Sequence, residues 1–371
     1  MNIECLQENL IEGIFKTERI AGKHMTLPVL SCLFFEAKKN NTLTIKSTNL
    51  DLGVEVVIPA KVEKEGVVAI PAQIISSFIS SLQAEEKTIH LSVNETTPGI
   101  ISISTKNTSG SIKTMPPDEF PNIPKIIDGK SFNVTAEEFI KGLKSVWYSA
   151  SVSGISPELS SVYIYCDGQY IVFAATDKFR LAEKRILVKK ENDFGQILIP
   201  FKNIPEIIKI LDGVRGEIQV ELNKNQISFN FHGVHLVSRV IDGVFPDYAQ
   251  IIPKETKTEV IVLKQDLINS LKISHIFSDK FNQVNFKVQP TKKVFEIKTK
   301  NNDIGETVQK MEAAMTGEDI EINFNYRYIV DCFQSIDADS ISLNFNGLNK
   351  PLVIKPISDS SFMYLVMPMN R

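Results

Sequence analysis

The residue types that could do chemistry are few in this sequence, and their spacing argues against most of it. His232 and His235 frame a His-Gly-Val-His run, a pair of imidazoles of the kind that binds transition metals. They fall in a strand pattern, where residues three apart point to opposite faces, so they read as surface or core histidines. Asp337 and Asp339 put two carboxylates in one turn, which reads as a solvated loop. Cys5, Cys32, Cys166 and Cys332 are far apart among apolar residues, the pattern of buried, reduced thiols in a cytosolic protein. There is no glycine loop of the phosphate-cradling kind and no nucleophile elbow. Catalysis needs an acid, base or nucleophile converging on one cleft, and no such set can be assembled. The sequence reads as that of a protein that binds, with no catalytic residue, metal or cofactor of its own.

Two stretches have the character of a binding surface. In Ala174-Ala-Thr-Asp-Lys-Phe-Arg-Leu181 a strand ends at Thr-Asp and restarts through Lys-Phe-Arg, leaving an aromatic ring and a guanidinium on a loop. Tyr364-Leu-Val-Met-Pro-Met-Asn-Arg371 is rich in methionine, which adapts to varied apolar partners. The same stretch also reads as a strand that completes the last domain.

What must position these stretches is a threefold repeat. Gly195–Gly213 is a short β-rich run that turns abruptly into an amphipathic helix, and Gly66–Leu82 and Glu321–Ile336 repeat it. Counted from Pro71, Pro200 and Asn325, the same four positions are apolar in each copy. They are Ile75, Phe78, Ile79 and Leu82, then Ile204, Ile207, Ile208 and Leu211, then Ile329, Cys332, Phe333 and Ile336. That spacing lays one apolar stripe along a helix, and proline suits a first helical turn. The copies lie about 125–129 residues apart, too long a period for a solenoid. Three whole repeats account for the 371 residues, with domains at 1–125, 126–253 and 254–371.

Each repeat predicts a helix, strands, the strand–helix signature and more strands: an α+β domain with two helices packed on antiparallel sheets. The first helix spans Gln7–Lys23, with Leu10, Ile14 and Phe15 toward the core and Lys16, Arg19 and Lys23 on another face. Its counterpart spans Ala136–Ala150, capped by Thr135 with Glu138, burying Phe139, Ile140, Leu143, Val146 and Trp147. Lys141 and Lys144 lie on a different side. The third spans Lys264–Phe277, with Leu267, Ile268 and Leu271 inward. Asp167-Gly168 and Lys39-Asn40-Asn41 predict hairpin turns. Hydrophobic content of 43% with 23% charged residues is ordinary for a soluble globular chain. No apolar run is long enough to span a membrane, and no secretory signal is expected at the N-terminus. A net charge of −3 argues against a static, high-affinity grip on nucleic acid but allows a local basic surface.

Through AATDKFRLA at 174–182, FPDY at 245–248, TLPVL at 26–30, MPM at 367–369 and the strand–helix signature, the sequence resembles the bacterial DNA polymerase III β subunit family, the sliding clamps. The resemblance runs the length of the chain. It implies three clamp domains and a head-to-tail homodimer ring around duplex DNA, with helices lining the hole and sheets forming the rim. Ring closure then does the holding, and phosphate contacts stay weak and sequence-independent. It also implies a cytoplasmic processivity factor, bound by DNA polymerase III catalytic subunit, clamp loader and other polymerases through short linear peptides. The family's peptide groove falls, residue by residue, on Leu159, Thr176, Phe179, Arg180, Leu181, Pro246 and Ile251. From the third domain it takes Phe281, Asn325, Tyr328, Leu365, Val366, Met367, Pro368 and Met369. DNA-facing positions fall on Lys16, Arg19, Lys23, His24, Lys141, Lys144, Lys202 and Lys209. Three departures stand out: Lys178-Phe179 where the family often has Gly-His, Gln250 where it often has arginine, and Asn370-Arg371 after MPM. The alternative is a three-domain interaction scaffold that does not encircle DNA.

Overall fold

The structure, a computed structural model, describes residues 1–22, 27–83, 87–93, 99–188 and 194–369. Among them are six α-helices, two per repeat: α1 (Gln7–Glu18), α2 (Ala72–Ser80), α3 (Ala136–Val146), α4 (Ile204–Leu211), α5 (Lys264–Ile276) and α6 (Tyr326–Asp331). The strands pair antiparallel into four sheets, giving the α+β build that the repeat predicts. Tertiary contacts divide the chain into two compact units, Met1–Ala136 with Pro205–Val240 and Glu137–Ile204 with Ile241–Arg371. The middle repeat is therefore shared between them.

The first unit holds a five-stranded and an eight-stranded sheet. The smaller runs, edge to edge, Lys61–Lys64, Asn2–Leu6, Thr88–Val93, Ile100–Ser104 and Ser109–Lys113. In the larger, the first repeat supplies Gly66–Pro71, Cys32–Lys38, Thr42–Thr48 and Leu52–Pro59. The sheet then continues through Val234–Arg239, Gln226–Phe231, Glu217–Leu222 and Lys130–Thr135 of the middle repeat. The seam between repeats is a strand pair, with Val234 opposite Val56 and Leu236 opposite Val54. Helix α1 rests on Thr42–Thr48 and Leu52–Pro59 and against α2. Gly13 allows the close approach, since a Cβ there would lie 2.9 Å from Ile45 Cδ1.

The second unit repeats the plan. Its nine-stranded sheet joins Gln196–Pro200, Ser161–Asp167, Tyr170–Thr176 and Arg180–Leu187 of the middle repeat to Phe362–Val366, Leu352–Pro356, Ser340–Phe345, Thr258–Leu263 and Ala314–Gly317 of the third. Here the seam sets Leu181 opposite Leu365 and Glu183 opposite Met363. A four-stranded sheet, Gly305–Lys310, Val294–Asn301, Gln283–Gln289 and Ile320–Asn325, completes the unit. Helix α3 sits on Tyr170–Thr176: the Phe139 ring meets Phe173 edge-on at 5.3 Å. Gly142 passes over the same ring, where a Cβ would come within 2.4 Å.

The apolar stripes are fully buried in the second and third copies, while Phe78 and Leu82 of the first are half-buried. Several expectations need correction. Helix α1 stops at Glu18, and Phe15 is 52% exposed because it faces away from the stripe of Leu10 and Ile14. Helix α3 stops at Val146 and gives way to a 3-10 turn, Trp147–Ser149, that leaves Trp147 half-buried. His232 is not in a strand: its φ of 40° and the 77° of Gly233 make a tight hairpin turn. His235 is held between Asn230 Oδ1 at 2.7 Å and the Pro124 carbonyl at 3.2 Å. Among the described residues no three histidines, cysteines or carboxylates are grouped to hold a metal, and no helix is long and apolar enough to cross a membrane.

Candidate partner groove and basic helix faces

The groove residues gather in the second unit, around the turn that precedes the strand Arg180–Leu187. Asp177 builds this turn: its Oδ1 accepts the backbone N–H groups of Phe179 and Arg180, both at 3.0 Å. The Thr176 hydroxyl donates to the Arg180 carbonyl at 2.6 Å. Lys178 takes a φ of 79°, a left-handed conformation that glycine adopts freely and a branched side chain does not. This explains in physical terms why a Gly-His pair would suit the same turn. The turn thrusts Phe179 outward, leaving its ring 57% exposed.

The wall opposite comes from α6 and the C-terminal segment. Phe179 stacks on Tyr328, with ring centroids 6.3 Å apart and planes 16° from parallel. The Arg180 guanidinium lies over the same Tyr328 ring, 4.8 Å from its centre. Beyond Val366 the chain leaves the sheet but stays tied down. Met367 N–H donates to the Phe179 carbonyl and Met369 N–H to the Asn323 carbonyl, each at 2.8 Å. Met367, Pro368 and Met369 thus bridge the turn and the strand Ile320–Asn325, half-exposed. Asn325 caps α6 by accepting Arg327 N–H at 2.9 Å. Phe281 stands 58% exposed, next to Asn282, whose carbonyl accepts the first N–H of α6.

Arg180 is a scaffold group. Its Nε donates to Asp177 at 2.9 Å and its other arm to Asp331. Burial works against the charge, but the carboxylates of Asp177 and Asp331 outweigh it and hold its pKa above the ordinary value. Burial also pushes the phenols of Tyr148 and Tyr364 well up. Tyr364 therefore stays protonated and donates to the Tyr328 carbonyl at 2.7 Å, fixing α6 against the sheet. Leu159, Thr176, Leu181, Leu365 and Val366 are buried and shape the floor from beneath. Pro246 and Ile251 are exposed. Ile251 and Met367 border an open cavity of about 570 Å³. The arrangement offers two exposed aromatic faces, adaptable thioethers and few free polar groups, the chemistry of a groove for apolar peptide anchors.

The basic positions fare unevenly. Lys16 donates to Glu12 at 2.5 Å, lies 5.8 Å from the centre of the Phe231 ring and is only 14% exposed, so it is largely spent inside the fold. Arg19 folds over Phe15, 4.3 Å from the ring centre. Lys23 and His24 lie outside the described residues, as do Asn370 and Arg371. Lys202 falls on the 3-10 turn Phe201–Asn203 before α4 and is exposed. Lys209 is exposed opposite the buried stripe of α4 and bonded to Glu206 at 3.3 Å. Lys141 and Lys144 are exposed on α3, away from Phe139 and Leu143. Reading from sequence missed Asp331 and Asn323. Asp331 is 151 residues from the arginine it holds, and no local pattern marks it.

A chain of three α+β repeats with paired helices and sheets continuous across repeat boundaries is a clamp-type fold. Models of the DNA polymerase III beta subunit match in order: the N-terminal domain over residues 1–124, the central domain over 133–247 and the C-terminal domain over 249–370. The chain belongs to the DNA polymerase III beta subunit family, the sliding clamps. A curated relative, the beta sliding clamp of Synechocystis, is 26% identical, covering 100% of this chain and 99% of its own. The DNA polymerase III beta subunit structure of Thermotoga maritima is 27% identical with a TM-score of 0.92, covering 100% and 99% of the two chains. The Bacillus subtilis sliding clamp has the same fold at 22% identity and a TM-score of 0.93 over 100% and 99%.

Proposed function

We propose that this clamp closes with a second copy, head to tail, into a ring around duplex DNA. It holds DNA polymerase III catalytic subunit, the clamp loader and other polymerases by short linear peptides in the groove at Phe179, Tyr328 and Met367. The observation that carries this reading is the succession of three clamp-domain matches over nearly the whole chain. The domains are taken at 1–125, 126–253 and 254–371. Two sheet edges support closure. Ser109–Lys113 borders the five-stranded sheet of one unit and Gly305–Lys310 the four-stranded sheet of the other. Each edge has a row of backbone groups free to pair with another chain. Ile276, Ile304 and Val308 are exposed around the second edge.

Lys141, Lys144 and Lys209 are the basic side chains best placed to meet phosphates, because they are exposed on helix faces opposite the core. Such contacts read no sequence and permit sliding. The protein works in the cytoplasm as a tether, without catalysing a reaction or carrying a cofactor.

Retention on DNA tests the ring. The protein loaded by its clamp loader on nicked circular DNA should stay through gel filtration in 0.15 M salt (a Debye length of about 8 Å) and come off when the circle is cut. Equal retention on circle and linear DNA overturns encirclement. Sedimentation at micromolar concentration should show a dimer, and Val308→Lys should shift it toward monomer; a wild-type monomer at all concentrations overturns closure.

A further inference from the structure

The cavity beside the groove has a character of its own. Ile251, Ile252, Pro253, Pro351 and Met367 supply an apolar lining, and Ile251 and Met367 also belong to the groove. The same lining is basic: it includes Lys254, Lys257 and Lys350, with Glu255 as the opposing charge. All three lysines are exposed, and none forms an ion pair among the described residues. This sets them apart from Lys16, Lys46, Lys184 and Lys209, whose ammonium groups are each matched to a carboxylate. Asn346 also lines the cavity, and its Oδ1 is buried without a partner. A buried acceptor left unpaired is costly, so a small side-chain movement that reaches an N–H of a bound chain is favoured.

We infer that this cavity is a basic extension of the peptide groove, and that partner peptides with aspartate or glutamate beside their apolar anchors bind here in preference to neutral ones. The inference rests on the groove reading. Three unpaired ammonium groups against one carboxylate leave a local excess of two positive charges on a protein whose net charge is −3. Gathered on one lining, they act together on a carboxylate by charge complementarity. A volume of about 570 Å³ holds several side chains, so the extension takes a short segment and not a single group. The apolar floor, continuous with Ile251 and Met367, favours a peptide over a nucleic-acid backbone, which would leave that floor uncovered.

The test uses two fluorescein-labelled synthetic peptides on the full-length protein. Both carry the same leucine and phenylalanine anchors; one is flanked by aspartates and the other by serines. Fluorescence anisotropy in 50 mM salt should show the acidic peptide binding about tenfold tighter, with the gap shrinking at 500 mM as the charges are screened. A Lys254→Ser, Lys257→Ser, Lys350→Ser triple variant should bring the two peptides within about twofold, with the serine peptide unchanged. That unchanged affinity also shows that the variant is folded. Equal affinities in the wild-type protein overturn the extension and leave the groove standing, whereas failure of both peptides to bind overturns the groove and the extension with it. A single-stranded thymidine oligonucleotide that binds through the three lysines and displaces the acidic peptide overturns the peptide assignment in favour of nucleic acid.

Discussion

The two seams that carry a sheet from one repeat into the next are built differently. In the first unit, Leu52–Pro59 meets Val234–Arg239 through backbone hydrogen bonds and close apolar packing. Val54, Val56 and Leu236 are buried, and Gly53 leaves just enough room for Ile123 and Val237. In the second unit, Arg180–Leu187 meets Phe362–Val366, and charges are buried beside the strands. Lys184 is 3% exposed and donates to Asp359 at 2.8 Å and to Ser361 Oγ. Glu183 is 7% exposed and accepts from the Tyr248 hydroxyl and from Arg185. The first seam is held by apolar packing, whereas the second adds a buried charge pair, Lys184 with Asp359, to its own apolar cluster of Leu181, Val353 and Leu365, so it is also sensitive to the loss of a partner. The seam beside Phe179 and Tyr328 is the one with specified partners.

The largest way to break this contrast is Asp359→Ala. It strands a buried ammonium and also removes the acceptor of the Ser361 N–H and hydroxyl. It should cost about 3 kcal/mol in urea unfolding, where the single tryptophan, Trp147, packed near the second seam, reports the transition. The double variant Lys184→Met with Asp359→Leu should recover most of that loss; if it is as unstable as the single, the pair is not what holds the seam. Next comes Gly53→Val. Its Cβ would fall 2.9 Å from Ile123 Cγ2 and 3.2 Å from Val237 Cγ1, and overpacking of that kind costs about 2 kcal/mol. Hydrogen exchange should show the damage centred in the first unit, and an unperturbed first seam would contradict shape as its basis.

A smaller effect comes from acid. Burial alone would raise the Asp359 carboxyl, but bonds from Lys184 and Ser361 pull it from 3.8 to about 2. Because the folded value is the lower one, the pair stabilises the protein above pH 3.8 and loses that contribution as pH falls toward 2. Asp359 is 38% exposed, which limits the contribution to the order of 1 kcal/mol. The stability gap between wild type and Asp359→Asn should therefore close between pH 4 and 2; a gap constant across that range would exclude this linkage. The smallest expected change is a gain. Lys178→Gly relieves the left-handed turn at the head of the second seam and should stabilise by up to about 1 kcal/mol, read as a rise in the unfolding midpoint.

Much of the fold was legible in the sequence because the stripes of Ile204, Ile207, Ile208 and Leu211 and their counterparts recur with helical spacing. The hairpins at Asn41 and Gly168, both with positive φ, were legible from turn chemistry. The seams were not. An alternating strand declares which face is buried but not which strand lies beside it, and Val56 and Val234 are far apart in the chain. Nothing local marks Lys184 as buried, because its carboxylate comes from the next repeat. Short or polar strands such as Lys61–Lys64 and Ala314–Gly317 went unread, having too few apolar positions to show a period. At the groove, Phe179 and the methionines were marked by composition. The ion pairs that immobilise Arg180, and the lysines of the adjoining cavity, became visible only once distant segments were brought together.

The shared middle repeat limits how such a chain can be recombined. Residues 126–253 look in sequence like an exchangeable cassette, yet they contribute four strands to the eight-stranded sheet and four to the nine-stranded one. Excising them would expose Leu52–Pro59 and Phe362–Val366 as bare edges. Chimaeras between relatives should therefore survive when crossovers fall near Ala136, Ile204 and Val240, the borders of the compact units, and not where one repeat gives way to the next.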